Sequence, residues 1–452
     1  MLKMRNTRLI LLTVLAITAV LLIVIGPIFL GRFGLNVLTR SMIYAMLAIT
    51  VDLLWGYAGV LTFGQAAFFG IGAYATGMVL TQFGGGPMVF VAALLLAIVI
   101  PLVLGLLVGW LSFYNGSTPL YATVISLVVP IVITQVIFSG GVWTGSSSGL
   151  VGYETLPLGL AGYFHLTGAC LIVTAGIALL FVRSDAGRVL KAVRDNEARV
   201  AYLGMSPSRL KIKLTAILAG VCGLAGFLFA NASGVVAPEN AGFVFGTELV
   251  VWTALGGRGT IVGPVLGAIG IDYLSANLSG DLPFLWQLII GGVFVAMIIL
   301  MPGGLASLGN RFFSARRAEA KLHSIPMHPF ADTERSLLSI RGLGKSYGAL
   351  SVLKGIDLEI RAGELVSLVG PNGAGKTTLM RCLSDGRQDI YGEIEILGQN
   401  IAGCTPQEIV ALGVGRKFQV ASIFDSMTIA ECLKMARFSH ETPSLVTARP
   451  EI

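Results

Sequence analysis

The sequence predicts a polytopic α-helical membrane protein of about ten spans, followed by a partial phosphate-loop α/β domain. Three observations predict it. Of 452 residues, 55% are hydrophobic and 12% charged, where soluble proteins carry charge on about a quarter. The charge is uneven: most of residues 1–300 is nearly free of it, and the last third has the composition of an ordinary soluble domain. Late in the chain, Gly370-Pro371-Asn372-Gly373-Ala374-Gly375-Lys376-Thr377-Thr378 fits G-x-x-x-x-G-K-[ST].

A span needs roughly 20 apolar residues. Candidate spans are 9–30, 36–54, 60–80, 88–110, 120–138, 163–182, 212–230, a short stretch at 245–255, 261–278 and 284–301. The short stretch is expected to be re-entrant or broken. The run 9–30 is too long for a signal peptide and lacks a small-residue cleavage site, so it reads as a first anchor. Basic residues cluster in 1–8, in 183–213 and in 311–321, whereas loops 139–162 and 232–246 have no Lys or Arg. The basic clusters therefore belong in the cytosol with the phosphate loop. Arg32 and Arg40 fall on the outer side and count against this arrangement. The net charge of +7 sits beside spans, so it reads as a topology signal and a contact with membrane lipid, not as a nucleic-acid footprint. The five cysteines form no C-x-x-C pair, and the four histidines form no ligand cluster. Cys170 and Cys222 lie in apolar runs and read as packing residues.

The permease-like part is taken as 1–305, a linker with Pro326 and Pro329 as 306–336, and a truncated nucleotide-binding domain as 337–452. Strand-like runs are expected at 338–340, 356–360, 364–369 and 393–397. Apolar Leu365–Val369 reads as a buried strand entering the glycine loop, with a helix following at 378–383. In that setting backbone N–H groups and a helix N-terminus surround phosphate oxygens. Lys376 reaches the β- and γ-phosphates of ATP, and the Thr377 hydroxyl holds Mg²⁺.

In the membrane part, Gly64, Ala66, Gly70, Gly72, Ala73 and Gly77 form a small-residue stripe with four-residue spacings. Close helix packing is favoured over direct solute contact. Asp52, Gln65, Gln135, Glu248 and Asp272 are polar residues at or near membrane depth, with Asp52 and Glu248 expected at the interface. In the loop 186–205, Val189, Val193, Val200 and Leu203 recur at roughly helical spacing among charges. Such a helix lies on the membrane surface, presents a solvated basic face, or docks on a soluble partner. Docking is favoured because a nucleotide-binding domain shares the chain.

The blocks Gly56–Tyr74, Gly187–Gly204 and Leu255–Ala268 resemble signatures of the branched-chain amino-acid ABC importer permeases, over about residues 35–308. Residues 337–438 resemble the ATPase subunit of the same importers. The resemblance implies a bacterial cytoplasmic (inner) membrane protein, multi-pass, with its N-terminus and nucleotide-binding domain cytosolic. It implies a second permease subunit, ATPase subunits and an extracytoplasmic solute-binding protein as partners. It places adenine on Tyr347 and Mg²⁺ on Gln419 as well as Thr377, and makes Val189, Val193, Glu197, Val200, Leu203 and Gly204 a coupling helix. The family's helical subdomain, L-S-G-G-Q signature, aspartate–glutamate pair and switch histidine do not follow Gln419. No complete catalytic set is therefore expected on this chain, which reads as a permease joined to the first half of its ATPase, truncated or frameshifted.

Some departures, at Asp52–Tyr57, Trp252–Thr260 and Gly415–Gln419, look closer to the urea and short-chain-amide branch. Three readings follow. The first is an importer permease for branched-chain amino acids or related small solutes. The second is a urea or short-chain amide permease with a non-functional ATPase remnant. The third is a channel or ion-driven carrier with a regulatory nucleotide domain, for which no relay of membrane charges is visible.

Overall fold

The computed structural model describes residues 2–114, 119–282, 284–300, 304–305, 336–386, 388–418 and 423–437. The chain divides into two compact units, one built on Met1–Arg194 and Ser208–Ala318, the other on Asp195–Pro207 and Glu319–Ser444.

The first unit is helical because a helix satisfies its own backbone polar groups in an apolar setting. Its helices are α1 (Leu2–Phe29), α2 (Arg32–Asp52), α3 (Gln65–Phe83), α4 (Pro87–Phe113), α5 (Pro119–Ser139), α6 (Leu160–Arg183), α8 (Pro207–Ser233), α9 (Phe243–Gly256), α10 (Val262–Asp281) and α11 (Trp286–Leu300). Between α6 and α8 lies α7 (Asp185–Ala201), which breaks at Asn196 (φ −158°, ψ 90°). Six helices among the described residues are long and apolar enough to cross a membrane: Arg32–Tyr57, Gln65–Phe83, Pro87–Phe113, Leu120–Ser139, Leu160–Arg183 and Pro207–Ser233. Outside the helices, Leu150–Val151 (β1) pairs antiparallel with Val235–Val236 (β2).

The core of this unit is an aromatic cluster. Tyr44 packs against Phe69, Phe229, Phe245 and Trp252, with ring centroids 4.9–6.2 Å apart. Each such pair adds about 0.5–1.5 kcal/mol beyond its buried area. Around it the glycines set helix distance. A Cβ on Gly72 would lie 2.6 Å from the backbone of Gly223, and one on Gly223 would strike the Ala97 carbonyl. Ala66, Ala73, Gly70 and Gly77 are likewise buried, so the small-residue stripe works as a packing surface between α3 and its neighbours.

One expectation in this unit needs correction. The span expected to start at residue 60 begins at Gln65, because α2 passes through a π-helical turn (Leu53–Tyr57) into extended residues with Gly59 at φ 77°. Asp52 ends α2 as expected and is completely buried against protein, its carboxylate accepting the N–H groups of Gly259 and Ile261, the latter at 3.2 Å. Glu248 lies within α9 and is exposed.

The second unit holds an antiparallel sheet ordered β4-β3-β5-β6, from Leu350–Arg361 (β4), Ser336–Tyr347 (β3), Tyr391–Ile396 (β5) and Gln399–Asn400 (β6). Ile340 of β3 faces Leu358 on one side and Ile394 on the other. Ile340, Leu343, Leu353, Leu379, Cys382, Ile394, Ile401 and Ile409 form its core. Helices α12 (Lys376–Ser384), α13 (Pro406–Ala411) and α14 (Ile429–Arg437) complete the described part. Thr405 and Glu408 cap α13 reciprocally, the Thr–x–x–Glu pattern that satisfies the first free N–H groups.

The buried strand expected at 365–369 is not formed. Those residues are irregular, with Leu365 fully exposed and Val369 87% exposed. A strand exists only with a hydrogen-bonded neighbour, and among the described residues the sheet has none beside this run.

Candidate functional site

The phosphate loop joins the irregular run 364–369 to α12. Gly373 (φ 86°) and Gly375 (φ 85°) both adopt the left-handed region, which suits glycine. Gly375 is buried against β4, where a Cβ would lie 2.8 Å from the Leu353 side chain. Gly370, Pro371, Asn372, Gly373 and Ala374 are exposed, as is Thr377, while Thr378 is half-buried. Lys376 Nζ donates to the carbonyl of Pro371 at 2.7 Å and to that of Gly370. The loop thus gathers a cation, exposed N–H groups and a helix start on one turn, a donor set that fits a polyphosphate. Behind it, burial pushes the Cys382 thiol up, which keeps it an inert packing group.

The other expected nucleotide contacts are less gathered. Tyr347 ends β3 about half exposed, with the Lys345 ammonium 5.1 Å over its ring. Gln419 lies outside the described residues.

The second unit also contains residues 195–207, and these meet the segment after the phosphate-loop helix. Tyr202 packs edge-on against Phe418 at 5.2 Å. The Arg416 guanidinium stands 5.5 Å over Tyr202 and 5.2 Å over Phe418, and Arg199 stands 5.3 Å over Phe418. Arg416 Nη1 also donates to Ser384 Oγ at 2.6 Å, at the last residue of α12. Asp195 accepts the Ser426 N–H at 2.8 Å and the Ser426 hydroxyl. A continuous path of contacts therefore joins the phosphate-loop helix to residues 195–202. Of the expected coupling residues, Val189 and Val193 are buried in the first unit. Val200 is buried in the second, Glu197 and Leu203 are half-buried there, and Gly204 takes φ 84°. Sequence reasoning missed Asp195, Tyr202, Arg416, Phe418 and Ser426, since nothing in their spacing marks them as partners.

In the first unit, Arg40 pairs with Asp272 at 3.0 Å, and Ser41 donates to the same carboxylate at 2.6 Å. This pairing gives the basic Arg40, near the start of α2, an acidic partner. Beside it is a cavity of about 440 Å³ lined by Asn36, Val37, Arg40, Ile43, Tyr163 and Phe229 among others.

Residues 33–298 match the family described as branched-chain amino acid transport system / permease component. The chain belongs to that family. Residues 353–447 match the ABC transporter family, whose domain implies nucleotide binding. The high-affinity branched-chain amino acid transport system permease protein LivM of Salmonella typhimurium is 25% identical over 338 residues, covering 68% of this chain and 78% of LivM. The ATP-binding protein LivG of Escherichia coli is 41% identical over 101 residues, covering 22% of this chain. The chain spans 40% of LivG and 42% of BraF of Pseudomonas aeruginosa, to which it is 38% identical. A solved bacterial Atm1-family ABC exporter with ATP bound is 20% identical, covering 75% of this chain and 53% of that one, with a TM-score of 0.17, too low to speak for the fold.

Proposed function

We propose that this chain is the permease component of an ATP-driven importer of branched-chain amino acids or related small solutes, carrying an incomplete nucleotide-binding segment that partner ATPase subunits complete. The observation that carries the reading is the permease-family match over 33–298 on the same chain as a phosphate loop. The solute is a small neutral or zwitterionic amino acid, in keeping with the LivM relatives and with a cavity large enough for one such molecule. The partners are a second permease subunit, further ATPase subunits and an extracytoplasmic solute-binding protein.

In this reading α1, α9, α10 and α11 join the six long helices to give about ten spans, α9 being broken or re-entrant. The N-terminus and the second unit are cytosolic in a multi-pass protein of the bacterial inner membrane. Lys376 holds the β- and γ-phosphates of ATP, Thr377 and Gln419 hold Mg²⁺, and Tyr347 stacks on adenine. Residues 189–204 couple the nucleotide segment to the permease, supported by the path from Ser384 through Arg416 to Tyr202.

Orientation is tested by cysteine labelling. Ser147→Cys is expected to react from outside and Ser208→Cys only from inside; the reverse pattern overturns the topology. The solute is tested by uptake of labelled leucine into cells expressing the chain with its partners. Competition by isoleucine and none by urea is expected. Inhibition by urea alone would move the chain to the amide branch.

A further inference from the structure

The inner end of α2 is tied in two directions. Asp52, wholly buried, holds the N–H groups of Gly259 and Ile261 on its carboxylate. That loop is wound tightly to present them: Gly257, Gly259 and Ile261 all have positive φ, at 106°, 77° and 58°. A non-glycine residue there is strained and persists only where its surroundings hold it. Four residues beyond Asp52, the carbonyl of Gly56 accepts Arg194 Nη1 of α7 at 2.8 Å. Gly56 has no room for a side chain, since a Cβ would strike both the Asp52 carboxylate and the Gly259 amide. Gly59 is closed in the same way by Arg194, whose Cγ would stand 2.9 Å from a Cβ. Two cations add to the knot, Lys191 of α7 5.6 Å from the Tyr57 ring and Arg258 5.4 Å from the Trp55 ring. All these residues belong to the first unit.

We propose that Asp52 is a positioning residue that makes α7, the end of α2 and the loop 257–261 move as one body. Tension on α7 passes through Arg194 to the Gly56 carbonyl. It then passes through the π-helical turn to Asp52, and through its two hydrogen bonds to the loop that starts α10. Rigid transmission needs a contiguous element with two arrangements, and a buried carboxylate holding a strained loop supplies a discrete bond to make or break. The consequence for transport rests on the importer reading; the mechanical link does not.

The test therefore has two readouts. Amide hydrogen exchange of the peptide 255–263 is measured on the purified full chain in nanodiscs. Asp52→Asn is expected to speed exchange at Gly259 and Ile261 by about tenfold or more, since the amide presents a donor where the carboxylate accepts. Arg194→Ala, at an exposed position, is expected to speed the same amides several-fold, since Arg194 bonds the Gly56 carbonyl and its charge faces Asp52. Unchanged exchange in Arg194→Ala overturns the link, whatever the chain transports. In the assembled transporter, solute moved per ATP should fall in both variants, and the double variant should be no worse than either alone. Additive losses would mean two separate roles and would also overturn the proposal. Absence of leucine uptake by the unaltered transporter would sink the importer reading and leave the exchange result to decide the link.

Discussion

In the first unit the carboxylates of Asp52 and Asp272 lie buried, and each accepts at least two hydrogen bonds. In the second, Leu365, Leu368 and Val369 stand exposed beside the phosphate loop. These two carboxylates of one unit are inside and matched; this apolar run of the other is outside and unmatched. The difference lies in where hydrogen bonds come from. A helix closes its own backbone bonds, so a membrane helix is stable before it finds a neighbour, and side chains such as Asp52 and Asp272 are then matched across elements. A strand closes none, so an apolar run of strand composition stays irregular until a second strand lies beside it.

The largest effect that breaks this contrast is at the helix contacts. Gly223→Val should abolish accumulation of the folded chain in the membrane, because the backbone of α4 leaves no space for a side chain. Gel-filtration of a fluorescent fusion reads this directly; a monodisperse peak of unaltered height would mean that α4 and α8 do not pack as described. A smaller effect is expected at the Arg40–Asp272 ion pair. Asp272→Leu removes the carboxylate that pairs with Arg40 and should cost about 2 kcal/mol, below the range for a fully buried pair because Arg40 is partly exposed. The thermal midpoint in detergent should fall, and Arg40→Leu in the same chain should restore most of it; no recovery would show that the two residues are not coupled.

The smallest effect is in the second unit. Tyr202→Ala removes one aromatic contact and one cation contact, worth about 1 kcal/mol together, and should leave nucleotide affinity unchanged. Uptake per ATP should nevertheless fall. A drop in nucleotide affinity with uptake per ATP intact would place Tyr202 in the nucleotide site and not on the coupling path.

The same contrast explains what was legible in the sequence. The apolar runs at 36–54, 88–110, 120–138, 163–182 and 212–230 map onto helices because length and hydropathy suffice for an element that stands alone. The strands at 338–340, 356–360 and 393–397 were legible because they pair with one another. The run 365–369 misled because its pattern says nothing about whether a neighbour is present. Arg40 looked misplaced from its charge alone, and only the fold shows Asp272, 232 residues away, beside it. The partners of Asp52 were not legible, because they are backbone N–H groups that no side-chain pattern announces. The glycine loop itself was legible because its geometry is local: two positive-φ glycines and a lysine within four residues.

The central claim is that this phosphate loop, completed by partner ATPase subunits, takes part in the transport cycle of this permease. Its most direct test is ATP-dependent leucine uptake in proteoliposomes that hold the chain with its partner subunits, compared with Lys376→Ala. Removing the Lys376 ammonium leaves the phosphates without their cation, so uptake is expected to fall by about tenfold or more while the chain still folds and assembles. Uptake equal to that of the unaltered chain would contradict the claim and leave this phosphate loop outside the transport cycle.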